Sequence, residues 1–166
     1  MNVRLERWEA GDEPLLHRLL GDPAMMEHLG GAESPEKIAE RHQRYLRLPE
    51  GEAMFKIVTG AGEAAGSVGY WDNDHFDERV YETGWFVLPE FQGRGIAGAA
   101  TRQAIELAAA ERRNRWMHAF PSVTNPASNA ICRKLGFELV EEGMEFEYPK
   151  GHLLRVNDWR LELYPD

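Results

Sequence analysis

Three glycines, Gly93, Gly95 and Gly98, fall within six positions in the run Leu88-Pro89-Glu90-Phe91-Gln92-Gly93-Arg94-Gly95-Ile96-Ala97-Gly98. Glycine lets a backbone approach a ligand closely. The run joins a strand pattern, Val80 to Leu88, to a helical pattern from Gly95 to about Arg113. At such a turn the first helical N–H groups are unpaired, and the positive end of the helix dipole lies beside them. The chemistry predicted is anion binding suited to a pyrophosphate, with Arg94 adding a cation. The alternative is a glycine-rich turn that binds nothing.

The same glycines satisfy the G-x-G-x-x-G spacing of dinucleotide folds, a weak match without its context. That context requires an acidic residue about 20 positions on, at the end of the next strand. Here the region reads Trp116-Met117-His118-Ala119-Phe120-Pro121-Ser122, without a carboxylate. No Gly-Lys-Ser/Thr follows the turn either, so a triphosphate loop is excluded. Histidines at 17, 28, 42, 75, 118 and 152 lack metal-ligand spacing, and no metal is predicted. His118 shares a strand face with Trp116 and Phe120 and reads as core.

The elements that must hold the turn follow from periodicity. Val3 to Trp8 alternates as a strand; Leu15, Leu16, Leu19 and Leu20 recur at helical spacing. Ser34-Pro35 caps a second helix through about Leu46. Both helices carry polar faces and are expected to flank something open. Strands are predicted over Ala53–Thr59, Gly66–Trp71 and Val80–Leu88, with Asp72 to Glu78 a polar connection. The helix after the turn carries Ile96, Ala100, Ala104 and Leu107 on one stripe, and Arg115–Phe120 returns to strand. Asn125-Pro126 opens another helix, which Gly136 ends. Two strands, Phe137–Tyr148 and Leu153–Leu163, close the chain across Pro149-Lys150-Gly151. The fold class is α/β: a mixed, mainly antiparallel sheet flanked by helices, with one strand-helix-strand crossover.

The stretch from Leu88 to Gly98 resembles the GNAT superfamily of acetyl-CoA N-acetyltransferases, whose turn reads Gln/Arg-x-x-Gly-x-Gly/Ala; Gln92, Gly95 and Ala97 match it. Tyr81 to Glu90 is similar to the family's fourth strand. Asn125-Pro126-Ala127-Ser128-Asn129-Ala130-Ile131-Cys132-Arg133-Lys134-Leu135-Gly136-Phe137 is similar to its second cofactor motif. Leu5 to Gly31 and the Ser34-Pro35-Glu36 helix resemble the branch of ribosomal-protein N-terminal acetyltransferases. The resemblance spans nearly the whole chain and implies acetyl-CoA as cofactor. It implies that the backbone of Gln92, Gly93, Arg94, Gly95, Ile96 and Ala97 cradles the CoA pyrophosphate. The backbone of Phe86, Val87 and Leu88 would pair with pantetheine, and Asn125 would reach the pantetheine arm. A parting of strands near Pro121 would admit the cofactor.

Acetyl transfer to an amine needs a proton removed. At pH 7 this costs about 4–5 kcal/mol for a lysine side chain but only about 1 kcal/mol for an α-amine. Glu82 is the candidate base. In an alternating strand it lines up with Val80, Gly84, Phe86 and Leu88, a mostly apolar setting in which a carboxylate holds its proton more tightly. The alternative is a glutamate paired with arginine or water. A backbone N–H near Val87 is the expected oxyanion donor. Many family members place a tyrosine as general acid four residues before the glycine of Lys-Leu-Gly-Phe; this chain has Cys132. Ser128, one turn earlier, is the substitute, donating to the thiolate or holding CoA; the alternative is an ordinary helix residue. Cys132 reads as a small buried hydrophobe rather than a nucleophile. Trp71, Asp72, Asp74 and His75 are expected to border an acceptor pocket. The acidic tract Glu138, Glu141, Glu142, Glu145 and Glu147 reads as a solvated strand face.

Composition narrows the partners. The 166 residues suit one domain, 1–166, and carry a net charge of −9. That charge disfavours nucleic acid and favours cationic partners such as amines, although it speaks first to solubility. No apolar run would span a bilayer, so no membrane is expected. One cysteine and an N-terminus without a signal-like stretch predict a cytoplasmic location. The predicted activity is transfer from acetyl-CoA to a primary amine, on a peptide N-terminus or small molecule, in a ternary complex; a homodimer is compatible with it. The rivals are a non-catalytic CoA-binding module and a nucleotide-cofactor enzyme.

Overall fold

The computed structural model describes residues 2–74, 77–147 and 150–165. Among them the strands and helices follow the predicted order: β1 (Val3–Arg7), α1 (Glu13–Leu20), α2 (Pro35–Tyr45), β2 (Ala53–Thr59), β3 (Ala64–Asn73), β4 (Val80–Val87), α3 (Ile96–Glu111), β5 (Trp116–Ala119), α4 (Pro126–Lys134), β6 (Glu138–Glu147) and β7 (Leu153–Glu162). The strands form one sheet ordered β1-β2-β3-β4-β5-β7-β6. Its neighbours run antiparallel except β4 and β5. That parallel pair requires a crossover, and α3 supplies it. The fold is the mixed α/β sheet expected. His75, Tyr148 and Pro149, which figure in the sequence reading, lie outside the described residues.

Local chemistry sets the helix ends. The Ser34 hydroxyl accepts from Lys37 N–H at 3.2 Å to begin α2, and Asn125 Oδ1 accepts from Ser128 N–H at 3.2 Å to begin α4. Each cap is followed by a proline whose missing N–H costs nothing at that position.

The two faces of the sheet have different coverings. Tyr81 donates its hydroxyl to Glu111 of α3 at 3.1 Å, and the Trp159 indole donates to Asn129 of α4 at 2.8 Å. Odd-numbered β4 residues therefore face α3 and α4. On the other face Lys56 reaches Asp12, beside the start of α1, at 2.9 Å. Lys56 is in register with Ser67, and Ser67 with Phe86, so Phe86 and Glu82 look toward the α1–α2 side.

α3 packs through Ile96, Ala100, Ala104 and Ala108, all buried. The buried line follows i+4 spacing and drifts around the helix, so Leu107, expected on the stripe, is 45% exposed instead. β3 also runs further than predicted. Asp72 and Asn73 are strand residues in register with Tyr81 and Val80 rather than a connection. Burial would raise the Asp72 carboxyl, but hydrogen bonds from Arg113 (3.0 Å) and Asn114 (2.8 Å) hold it below its ordinary value. These partners make an acidic strand residue tolerable. At the far edge of the sheet, β6 exposes Glu138, Glu141 and Glu142 together with Leu139 and Val140.

Candidate active site

β4 and β5 are in register at Tyr81↔Met117 and Glu82↔His118, and their pairing stops there. β4 continues to Val87, whereas the chain after Ala119 follows β7. Asn157 N–H donates to the Pro121 carbonyl at 2.9 Å, and Val123 N–H to Arg155 at 3.0 Å. The two strands part shortly before Pro121, near where the family resemblance implied.

Leu88 N–H donates to the Ala65 carbonyl at 2.8 Å. Bonded and non-bonded pairs alternate in an antiparallel ladder, so Phe86 and Leu88 commit their backbone groups to β3. Val87, between them, turns its N–H and C=O toward the parting. Gly66 has to be glycine beside Phe86, because a Cβ there would stand 2.0 Å from the Phe86 carbonyl oxygen. Of the predicted Phe86, Val87 and Leu88, Val87 alone offers its backbone to a ligand in the parting.

A 3-10 turn, Pro89–Phe91, leads from β4 into the glycine run. Gly93 and Gly95 sit at φ +76° and +77°, where a side chain is strained, and a Cβ at Gly93, Gly95 or Gly98 would meet nothing within 4 Å. The surface over the turn is open. α3 starts after Gly95 with no side-chain cap, so its leading N–H groups are available. Ile96 buries its side chain, and only its backbone can serve a ligand. The Arg94 guanidinium lies over the Phe91 ring, 5.6 Å from its centroid, at the exposed edge. Gln92 folds back so that Nε2 donates to the Val87 carbonyl at 2.9 Å. An open left-handed turn, uncapped N–H groups and an adjacent guanidinium fit a pyrophosphate.

Glu82 occupies the last register pair before the parting. The Asn73 side-chain amide donates to its Oε1 at 2.9 Å. Trp71, in register with Glu82, lies beside Gly84, whose absent side chain leaves room for the indole. Trp71 therefore lies on the Glu82 face, whereas Asp72 is on the opposite face, bonded to Arg113 and Asn114. Next to Glu82 on β5, His118 is buried and its Nδ1 lies 2.6 Å from Oδ1 of buried Asp158. The imidazole stacks on Phe120 (5.8 Å, 13°), and Phe120 on Phe146 (6.3 Å, 7°). His118 is buried, as read from the sequence, but it is a polar partner rather than an apolar filler.

At the head of α4, Ser128 is half-buried, and among the described residues its hydroxyl makes no hydrogen bond. Cys132 is fully buried, and burial pushes its thiol up to about 12. Such a group is neither a nucleophile nor a proton donor at neutral pH. Asn129, whose partners no local pattern points to, is the pin of the region. Its Oδ1 accepts from Asn157 (2.9 Å) and Trp159 (2.8 Å); its Nδ2 donates to the carbonyls of Ser122 (3.0 Å) and Asn125 (2.8 Å). The segment between α1 and α2 touches both sides of the parting. Met25 Sδ lies 3.7 Å from Gln92 Nε2 on one side, where Arg18 of α1 also pairs with Glu90 at 2.5 Å; His28 bonds Thr124 at 2.8 Å on the other. A groove of about 570 Å³ opens beside the His28–Thr124 contact, lined also by Glu27, Ser122 and Arg155.

The acetyltransferase (GNAT) domain family model matches residues 2–138. This chain belongs to the GNAT acetyltransferases. The GNAT domain uses acetyl-CoA. Among solved structures, the chain is similar to spermidine N-acetyltransferase from Vibrio cholerae in complex with CoA and spermine. The TM-score is 0.81 at 19% identity, over 97% of this chain and 95% of that one. It is also similar to RimL, a ribosomal L7/L12 alpha-N-protein acetyltransferase in complex with coenzyme A (TM-score 0.78, 22% identity, 98% and 94% covered). A GNAT-family acetyltransferase from Bacillus anthracis gives a TM-score of 0.77 at 18% identity over 98% and 96%. At these identities the likeness is one of GNAT fold. Within that fold, Glu82 lies in the last register pair of β4 and β5, Val87 and the Gln92–Ala97 turn lie beyond the end of that pairing, and Asn125 and Ser128 lie at the head of α4.

Proposed function

We propose that this GNAT chain is an acetyl-CoA-dependent N-acetyltransferase, one domain over 1–166, that transfers acetyl directly to a primary amine in a ternary complex. The observation that carries the reading is the place of Glu82, where β4 and β5 cease to pair, on the face opposite α3. Cofactor held from the α3–α4 side and amine arriving from the α1–α2 side would meet at this carboxylate.

Bound acetyl-CoA supplies the thioester carbonyl. The backbone N–H groups from Gln92 to Ala97 hold the pyrophosphate, with Arg94 adding charge. Val87 N–H donates to the oxygen on which charge develops. Asn125 flanks the pantetheine arm, and the Ser128 hydroxyl donates to the departing sulfur or holds the arm. Glu82, oriented by Asn73, takes the proton of the amine. An α-amine requires little help, about 1 kcal/mol at pH 7, and a lysine-like amine about 4–5 kcal/mol. The acceptors named for two similar proteins, spermidine and a ribosomal-protein α-amine, are both amines and support this class. A net charge of −9 favours cationic acceptors of either kind.

The test is acetyl-CoA binding by calorimetry, then thiol release across a panel of peptide and small-molecule amines. Binding with amine-dependent release supports the reading; no binding overturns it.

A further inference from the structure

Resting on the transfer reading above, we propose that His118, held by Asp158, is a positioning residue that receives the proton Glu82 removes from the amine. The two residues are register partners on neighbouring parallel strands, so their side chains leave the same face of the sheet about 5 Å apart at the backbone. An ionised carboxylate only accepts, so the 2.6 Å contact with Asp158 fixes the proton of a neutral imidazole on Nδ1 and leaves Nε2 as an acceptor. The stack on Phe120 and Phe146 holds the ring plane.

Imidazole is the stronger base of the two side-chain types, so Nε2 can take the proton from Glu82. Asp158 then faces an imidazolium it can stabilise. Arg160, in register with His118 on β7, also faces it. Arg160 lies over the Trp116 ring and 3.9 Å from Glu138. The proton balance is complete. As the N–C bond forms and the C–S bond breaks, the ammonium loses two protons. One ends on the departing sulfur, and the other passes through Glu82 to His118 and on to water.

The experiment reads His118 by ¹⁵N NMR in the free protein, its signals assigned by their loss in His118→Gln. We expect the Nδ1–H tautomer, and an Nε2 chemical shift that moves in Glu82→Gln, because a neighbouring carboxylate acceptor is lost. His118→Gln should lower kcat at least about tenfold and remove one limb of the pH profile. Its amine KM and acetyl-CoA Kd should stay within about twofold of wild type. An unchanged Nε2 shift in Glu82→Gln overturns the relay, as does a His118→Gln enzyme with wild-type kcat. So does a loss of kcat that leaves the shape of the pH profile intact. A wild-type protein that binds no acetyl-CoA instead overturns the transfer reading, and the shifts still report whether the two groups share a proton.

Discussion

Gln92 donates its side-chain amide to the carbonyl of Val87, tying the cofactor turn to the strand residue whose backbone faces the parting. The bond positions two binding groups with one contact. Gln92→Ala should raise the acetyl-CoA Kd about tenfold, equivalent to one net hydrogen bond of about 1.4 kcal/mol. Gln92→Glu should weaken it further, because a carboxylate would face both a carbonyl and a pyrophosphate. Calorimetry on the three proteins checks the order.

Gly95 separates stability from binding. It is left-handed with open space above it, so Gly95→Ala should cost about 1–2 kcal/mol of backbone strain by denaturant titration. Gly95→Glu should leave a folded protein that no longer binds acetyl-CoA, since its side chain fills the anion site with negative charge. Unaltered Kd in Gly95→Glu would remove the pyrophosphate from this turn.

Glu82→Gln should slow turnover more for alkylamines of high pKa than for α-amines, because only the former depend strongly on a base. A panel of amines graded by pKa reads this as a changed slope of log kcat/KM. The same loss across the panel argues for a steric role.

Asn129 satisfies four hydrogen bonds in a buried position, and Asn129→Ala should destabilise the fold by about 2–4 kcal/mol, since the Trp159 N–H and two carbonyls lose partners. Urea titration measures it.

Cys132 should resist Ellman's reagent in the native protein at pH 8. Its thiol is raised from an ordinary 9.0 to about 12, so the unfolded chain releases the proton first. The stability it contributes is full below pH 9 and declines as pH rises toward 12. Cys132→Ala should flatten that decline without changing turnover, whereas Ser128→Ala should slow turnover.

The parts of this site legible in the sequence are those whose physics is local. The glycine turn, the Asn125 cap and the alternation that aims Glu82 each depend on residues a few positions apart. His118–Asp158 spans 40 residues and depends on the register between β5 and β7, which no local pattern encodes. Asp72 lies in a polar run that reads as a connection, since an acidic residue is a poor strand former alone; Arg113 and Asn114, more than 40 positions on, make it a good one. Asn129 stood inside a recognised motif, yet its partners lie on β7. The backbone alternation that singles out Val87 likewise required knowing which of its neighbours bonds β3.

The last turns of α1 and the segment that follows are fastened to Glu90 and Gln92 on one bank and to Thr124 on the other. The spacing of the banks is thus gauged by the chain itself rather than by an arriving ligand. A slot of preset width needs no closing motion, so binding forfeits little disorder and its heat reports contacts rather than folding. Cutting the His28–Thr124 tether would turn the same slot into one that every ligand must first assemble.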